Sequence, residues 1–133
     1  VAMIDSRVLD YKKMPRATYC RPQIASFGYT EREARERQYA VKIGRFPFRA
    51  NGKALAMGEG EGMVKVVVDG ASGEVIGAHL IGAEVTELLP ELTLTNMLEG
   101  TVKELGWLAH SHPTLSEAVK EAALAAEGQA IHI

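Results

Sequence analysis

Two apolar runs joined by a short glycine-bounded link constrain this chain more than any other feature. Met63-Val64-Lys65-Val66-Val67-Val68-Asp69 and Val75-Ile76-Gly77-Ala78-His79-Leu80-Ile81 are strand-length and rich in β-branched residues, and Gly70-Ala71-Ser72-Gly73-Glu74 between them has turn composition. Together they predict a β-hairpin, hence an antiparallel pair. Any fold for the chain must give that hairpin neighbours and cover at least one of its faces.

The residues before the hairpin supply candidate neighbours. Ala17-Thr18-Tyr19-Cys20 predicts a short strand, and after Pro22 the alternation of Ile24, Ser26 and Gly28 with Ala25 and Phe27 predicts another. Tyr39, Val41 and Ile43 alternate with Ala40, Lys42 and Gly44, and Arg45-Phe46-Pro47-Phe48 extends that strand until the proline limits ladder bonding. Between them Thr30-Glu31-Arg32-Glu33 has the capping-box pattern of a helix running to about Gln38. Its Glu31/Arg35 and Glu33/Arg37 pairs at i,i+4 mark a solvated surface element. Residues 49–62, rich in Gly, Ala and Asn, have no clean period and predict a loop with room for one helical turn.

After the hairpin the period changes to that of a helix. Val85, Leu88, Leu89, Leu92, Met97 and Leu98 form an apolar stripe, with Pro90 predicting a kink or restart and Gly100 a stop. Thr101-x-x-Glu104 is a second capping box, opening a short helix through Val102, Leu105 and Leu108 beside Trp107. A last helix is expected from Thr114 to about Ala126, with Leu115, Val119, Ala122 and Ala126 on one face; Gly128 ends it, and residues 129–133 form a tail, docked or disordered. Strands first, a hairpin in the middle and helices last give an α+β fold, an antiparallel sheet covered by helices.

At 133 residues this is expected to be one domain, residues 1–133, with residues 1–10 as a lead-in and 128–133 as the tail. A net charge of -2 and a pI near 6.1 argue against nucleic acid or an anionic membrane surface as partners. The apolar runs are short, Ala122 to Ala126 being flanked by Glu121 and Glu127, and charges at Asp5, Arg7, Asp10, Lys12 and Lys13 break any leader-like core near the start. One cysteine, Cys20, allows no intrachain disulfide and suits a reducing, cytoplasmic compartment; it is expected to be an inert strand cysteine.

Chemistry concentrates in His110-Ser111-His112-Pro113-Thr114-Leu115-Ser116-Glu117. The proline pushes His112 out of the α region into a loop leading to the last helix, and Glu117 follows within reach of its ring. An imidazole held at one nitrogen by a carboxylate, with the other facing outward, can take and give a proton near neutral pH. Two other readings stand beside this one. Thr114-x-x-Glu117 also has the capping-box pattern, and His110, His112 and Glu117 could ligate a metal. His79, mid-strand and without a sequence partner, is read as structural. There is no Gly-x-Gly-x-x-Gly, no phosphate-binding loop pattern and no Cys-x-x-Cys, so a His-Glu dyad here would be half of an active site.

These residues also carry a family likeness. His110 to Ala118, with Pro22 to Glu31, Phe46-Pro47-Phe48-Arg49-Ala50-Asn51 and Gly73 to Gly82, resembles in order the C-terminal dimerisation domain of dihydrolipoyl dehydrogenases, within the pyridine nucleotide-disulfide oxidoreductases. The resemblance runs from about Tyr11 to Ala126. It implies that His112 is an acid/base taking a proton from the dihydrolipoamide thiol, that Glu117 raises its basicity, and that His110 and Pro113 position the loop. It is compatible with a cis His112–Pro113 bond. It further implies a homodimer in which this domain reaches into the partner subunit's disulfide site, FAD and NAD held by other domains of the parent enzyme and none by this chain, and possible service in a 2-oxo acid dehydrogenase complex. This chain alone is then expected to be inactive. The alternatives are a non-enzymatic homodimerisation module, motivated by the apolar faces of residues 85–98 and 115–126, and the same domain from another flavin disulfide reductase.

Overall fold

The predicted hairpin lies inside a five-stranded sheet in which every adjacent pair is antiparallel. The computed structural model describes residues 10–133, so the Val1-Ala2-Met3-Ile4 stretch and nearly all of the 1–10 lead-in fall outside it. The strands are β1 (Arg16–Thr18), β2 (Gln23–Gly28), β3 (Val41–Pro47), β4 (Met63–Asp69) and β5 (Val75–Gly82), ordered β1-β2-β5-β4-β3. The helices are α1 (Glu31–Glu36), α2 (Gly52–Ala56), α3 (Val85–Met97), α4 (Val102–Trp107) and α5 (Glu117–Ala126). The α+β class expected from the sequence is the one observed.

The main core lies between one face of the sheet and the three later helices. Ala25 and Phe27 of β2, Phe46 of β3, Val64, Val66 and Val68 of β4 and Leu80 of β5 meet Leu88, Leu89 and Leu92 of α3 and Val119, Ala122 and Ala123 of α5, all buried. Burying each large apolar side chain contributes roughly 1.5–3 kcal/mol, so this layer dominates the stability. The pairing of β4 with β5 slips where Val67 opposes Gly77 and Val68 opposes Val75, a bulge at Ile76. Val75 and Ala78 thereby stay in the main core, while Ile76 and Val67 turn to the second face and pack with Ala34 of α1.

Glycine decides how closely α5 approaches. A Cβ on Gly44 of β3 would lie 1.8 Å from the carbonyl oxygen of Ala122 and 2.8 Å from the nitrogen of Ala126. The helix backbone therefore rests directly on the strand at this point, where a backbone group and not a movable side chain would be struck.

Several local expectations need correction. β1 ends at Thr18, its last residue paired with β2, and Tyr19 and Cys20 lie beyond it, exposed, in the bend that returns the chain through Pro22. Cys20 is thus not a strand residue. α1 stops at Glu36 because Gln38 adopts a left-handed φ of 64°. Its capping box and Glu31–Arg35 pair form as expected, but Glu33 bonds Lys12, and Arg37 instead covers the Tyr29 ring at 5.0 Å. α3 continues through Pro90 without a restart, since buried Leu88, Leu89 and Leu92 fix the turns on either side of it. The stretch 49–62 holds more order than its composition suggested: a 3-10 turn at Phe48–Ala50 and then α2, capped by Asn51. His79 is half-buried, with Nε2 3.1 Å from the Tyr29 carbonyl, a structural role.

Candidate functional site

The loop carrying His112 is anchored twice at its downstream end before any chemistry is considered. Buried Leu115, Ala118 and Val119 tie the start of α5 into the core. Buried Asn51 accepts the Ala54 N–H at 2.9 Å to cap α2 and donates through Nδ2 to the Thr114 carbonyl at 3.0 Å. A buried amide satisfied on both sides is costly to disturb, at about 1–3 kcal/mol for an orphaned group, so the loop cannot drift independently of α2. The His112–Pro113 peptide bond is cis.

Glu117 is the first residue of α5, not one turn into a helix that opens at Thr114; residues 114–116 form the turn that leads into it. Its two carboxylate oxygens divide their work. Oε1 lies 2.9 Å from His112 Nδ1, and Oε2 accepts the Thr114 N–H at 2.8 Å. The cap and the dyad, weighed against each other in the sequence, coexist. Only half of the expected capping box forms, because the Thr114 hydroxyl turns away to the Ser111 carbonyl at 2.8 Å and to Ser116 Oγ at 3.0 Å. A capping box needs the threonine at the N-cap, and here Ser116 occupies that place without a side-chain cap bond.

The electrostatics follow from this geometry. Partial burial raises the pKa of Glu117, but the Thr114 N–H and the His112 ring outweigh it, and the carboxyl ends below its ordinary value. An ionised carboxylate facing Nδ1 selects the tautomer that carries its proton there. The other nitrogen, Nε2, keeps its lone pair, and with 77% of the His112 side chain exposed it can receive a proton from an incoming group.

His110 is built differently. Its side chain is 6% exposed, with Nε2 2.9 Å from Glu91 Oε1 of α3 and Nδ1 3.1 Å from the Leu108 carbonyl. Both nitrogens are engaged, so it joins the loop to α3. The two imidazoles answer to different carboxylates, which removes the geometry of a shared ligand set, and among the described residues no group of three or more His, Cys, Asp or Glu is placed to hold a metal ion.

A cleft of about 330 Å³ opens beside these groups, lined by Phe46, Leu55, His110, His112, Glu117 and Ile131 among others. Two further residues lining it carry almost no functional signal in the sequence. Glu121 lies four residues after Glu117 on α5, buried, and His132 pairs with it at 2.9 Å. The i,i+4 spacing of two glutamates on one helix face was the only available sign. Glu91, which fixes His110, gave none, since its partner is 19 residues away along the chain.

Comparison with known proteins agrees with this architecture. Residues 14–123 match the family model described as pyridine nucleotide-disulphide oxidoreductase, dimerisation domain. The dihydrolipoyl dehydrogenase of Zymomonas mobilis is 52% identical over 93% of this chain and 27% of its own length; that of Bacillus subtilis is 47% identical over 98% and 28%. Among solved structures, LpdA from Mycobacterium tuberculosis superposes with a TM-score of 0.81 at 25% identity, covering 86% of this chain and 25% of that one. The flavoprotein disulfide reductase RclA from Escherichia coli shares the fold, with a TM-score of 0.81 at 23% identity, over 84% of this chain and 26% of that one. The chain therefore spans about a quarter of the length of its relatives, and it belongs to the dimerisation-domain family of the pyridine nucleotide-disulphide oxidoreductases.

Proposed function

We propose that this domain serves a flavin-dependent dihydrolipoyl dehydrogenase, in which His112 is the acid/base for the dihydrolipoamide thiol and Glu117 orients it. The observation that carries the proposal is the 2.9 Å contact of His112 Nδ1 with Glu117, which leaves Nε2 facing outward. Nε2 takes the thiol proton as the sulfur becomes a nucleophile, and Glu117 stabilises the resulting imidazolium. His110 and Pro113 position the loop. The curated relatives at about half identity are named dihydrolipoyl dehydrogenases, which favours this substrate over that of another flavin disulfide reductase.

The residues of this domain do not fit a dinucleotide. Its sheet is antiparallel throughout, without the parallel strand-to-helix turn and glycine fingerprint that cradle a pyrophosphate. FAD, NAD and the redox-active cysteine pair are therefore assigned to the rest of the parent enzyme, residues 1–133 being a single dimerisation domain of it, and this chain alone is inactive.

The homodimer is supported by an apolar surface that is only in part the one expected: residues 85–98 contribute to it and residues 115–126 do not. The face of α5 bearing Val119 and Ala122 is spent in the core, whereas Leu94 and Met97 of α3, Leu98 just after it, and Trp107 and Leu108 at the end of α4 stand exposed, Trp107 at 79%. In the dimer His112 is offered to the partner subunit's disulfide. Service in a 2-oxo acid dehydrogenase complex and a cytoplasmic location belong to the same proposal, and no helix among the described residues is long and apolar enough to cross a membrane. An intermolecular Cys20 disulfide in freshly isolated protein would overturn the location.

The test is the steady-state oxidation of dihydrolipoamide by the full-length flavoprotein carrying this domain. His112→Gln is expected to lower kcat by about 10²–10⁴. An undiminished rate would remove His112 from the chemistry.

A further inference from the structure

Residues 129–133 take no part in the His112–Glu117 pair, yet they border the same cleft. The chain leaves α5 through Gly128, at a φ of 69°, and comes back to the helix. Glu121, only 4% exposed, accepts the Ile131 N–H at 2.9 Å, the His132 N–H at 3.3 Å and the His132 ring at 2.9 Å through Nδ1. A buried carboxylate is tolerated when donors satisfy it, and here all three come from two adjacent residues outside the helix. Ile131 and His132 are themselves mostly exposed, so burial of their own side chains does not hold the segment in place. Glu121 does.

The held segment changes what the cleft is made of. Ile131 adds to an apolar lining of Phe46, Ala50 and Leu55, while His112 and Glu117 supply polar groups. A volume of about 330 Å³ lies at the small end of ligand sites, enough for an unbranched chain and too little for a dinucleotide.

We infer that Glu121 is a positioning residue that fastens residues 129–133 as a wall of the His112 cleft, and that Ile131 and Leu55 form the apolar sides of a slot for the alkyl arm of a thiol substrate. The inference rests on the proposed role of His112 toward a dihydrolipoyl thiol. It adds the means by which a flexible arm is steered so that its sulfur meets Nε2. An arm that loses one apolar wall binds less well, but once bound it meets the same base.

The experiment uses the full-length flavoprotein with Glu121→Ala and, because that buried site could affect folding, also Ile131→Ser at an exposed position. KM for dihydrolipoamide is expected to rise about three- to tenfold in both while kcat stays within twofold, and KM for a 1,3-dithiol lacking the arm is expected to stay unchanged. Hydrogen exchange read by mass spectrometry is expected to find the Ile131 and His132 amides protected in the wild type and exchanging at least tenfold faster in Glu121→Ala. Unprotected wild-type amides would overturn the fastening. Equal KM changes for both dithiols, or a loss in kcat alone, would overturn the slot. A wild-type enzyme that fails to oxidise dihydrolipoamide overturns the role of His112 and the slot with it, whereas the exchange result decides the fastening independently.

Discussion

Glu117 holds the His112 ring at 2.9 Å with one carboxylate oxygen and the Thr114 backbone with the other, so a single side chain both orients the imidazole and closes the turn beneath it. The two tasks differ in what they require. Holding the backbone needs only an acceptor, whereas supporting a protonated ring needs a negative charge.

That difference separates the two tasks by mutation. Glu117→Gln is expected to keep the Thr114 bond and leave the melting temperature nearly unchanged, while lowering kcat of the parent enzyme by about 10–100-fold, at the low end of what a positioned base contributes. Glu117→Ala should show the same kinetic loss and a further destabilisation of about 1 kcal/mol, as for a lost helix cap. Equal rates for wild type and Glu117→Gln, measured at saturating dihydrolipoamide, would show that the charge plays no part.

His79 predicts a pH dependence of stability. Its pKa is lowered chiefly by burial, with Lys65 also opposing the charge, against the Tyr29 carbonyl and Glu33, which favour it. The folded state thus resists a proton that the unfolded chain accepts below about pH 6.5. The stability contributed is present above that pH and is lost as pH falls toward the lowered folded value. Thermal melts of wild type and His79→Gln should therefore run parallel above about pH 6.5 and separate below it, with the variant losing less stability as pH falls. Identical profiles would mean that His79 titrates alike in both states.

At Gly44 the contact with α5 leaves no room for a side chain. The Cβ of Gly44→Ala would sit 1.8 Å from the Ala122 carbonyl oxygen, so the helix must move. Overpacking of this kind costs about 1–3 kcal/mol, and because Glu117 rides on the same helix, kcat should fall along with stability. Denaturant unfolding and steady-state kinetics on one preparation would check both; an unaltered midpoint would mean that α5 packs less closely than described.

The exposed apolar residues of α3 and α4 predict association of this domain. The purified chain is expected to sediment at twice its 14.4 kDa mass, and Leu98→Glu, which places a charge at a residue 70% exposed, should give the monomer without lowering helix content. Sedimentation equilibrium with circular dichroism distinguishes a broken interface from a broken fold. A wild-type chain that remains monomeric at high concentration would mean that assembly needs contacts from outside these residues.

How much of this was legible in the sequence depended on how local the cause was. The hairpin, the caps at Thr30 and Thr101 and the α+β class follow from periodicity and turn chemistry over a few residues, and the structure has them where the pattern put them. The contact between His112 and Glu117 spans five residues and was within reach of spacing, although spacing alone left a cap, a dyad and a metal site open. Thr114 was misread as the start of the last helix because a capping-box pattern does not reveal which way its hydroxyl turns, and the Ser111 carbonyl won. What only the tertiary structure decided is what lies far apart in the chain. Glu91 takes one nitrogen of His110, Asn51 bonds Thr114 across 63 residues, and Glu121 gathers Ile131 and His132. Each is a buried or half-buried polar group whose partner is chosen by which elements the core brings together, and no local pattern encodes that choice, because burial and its hydrogen-bond demand exist only once the sheet and helices have packed.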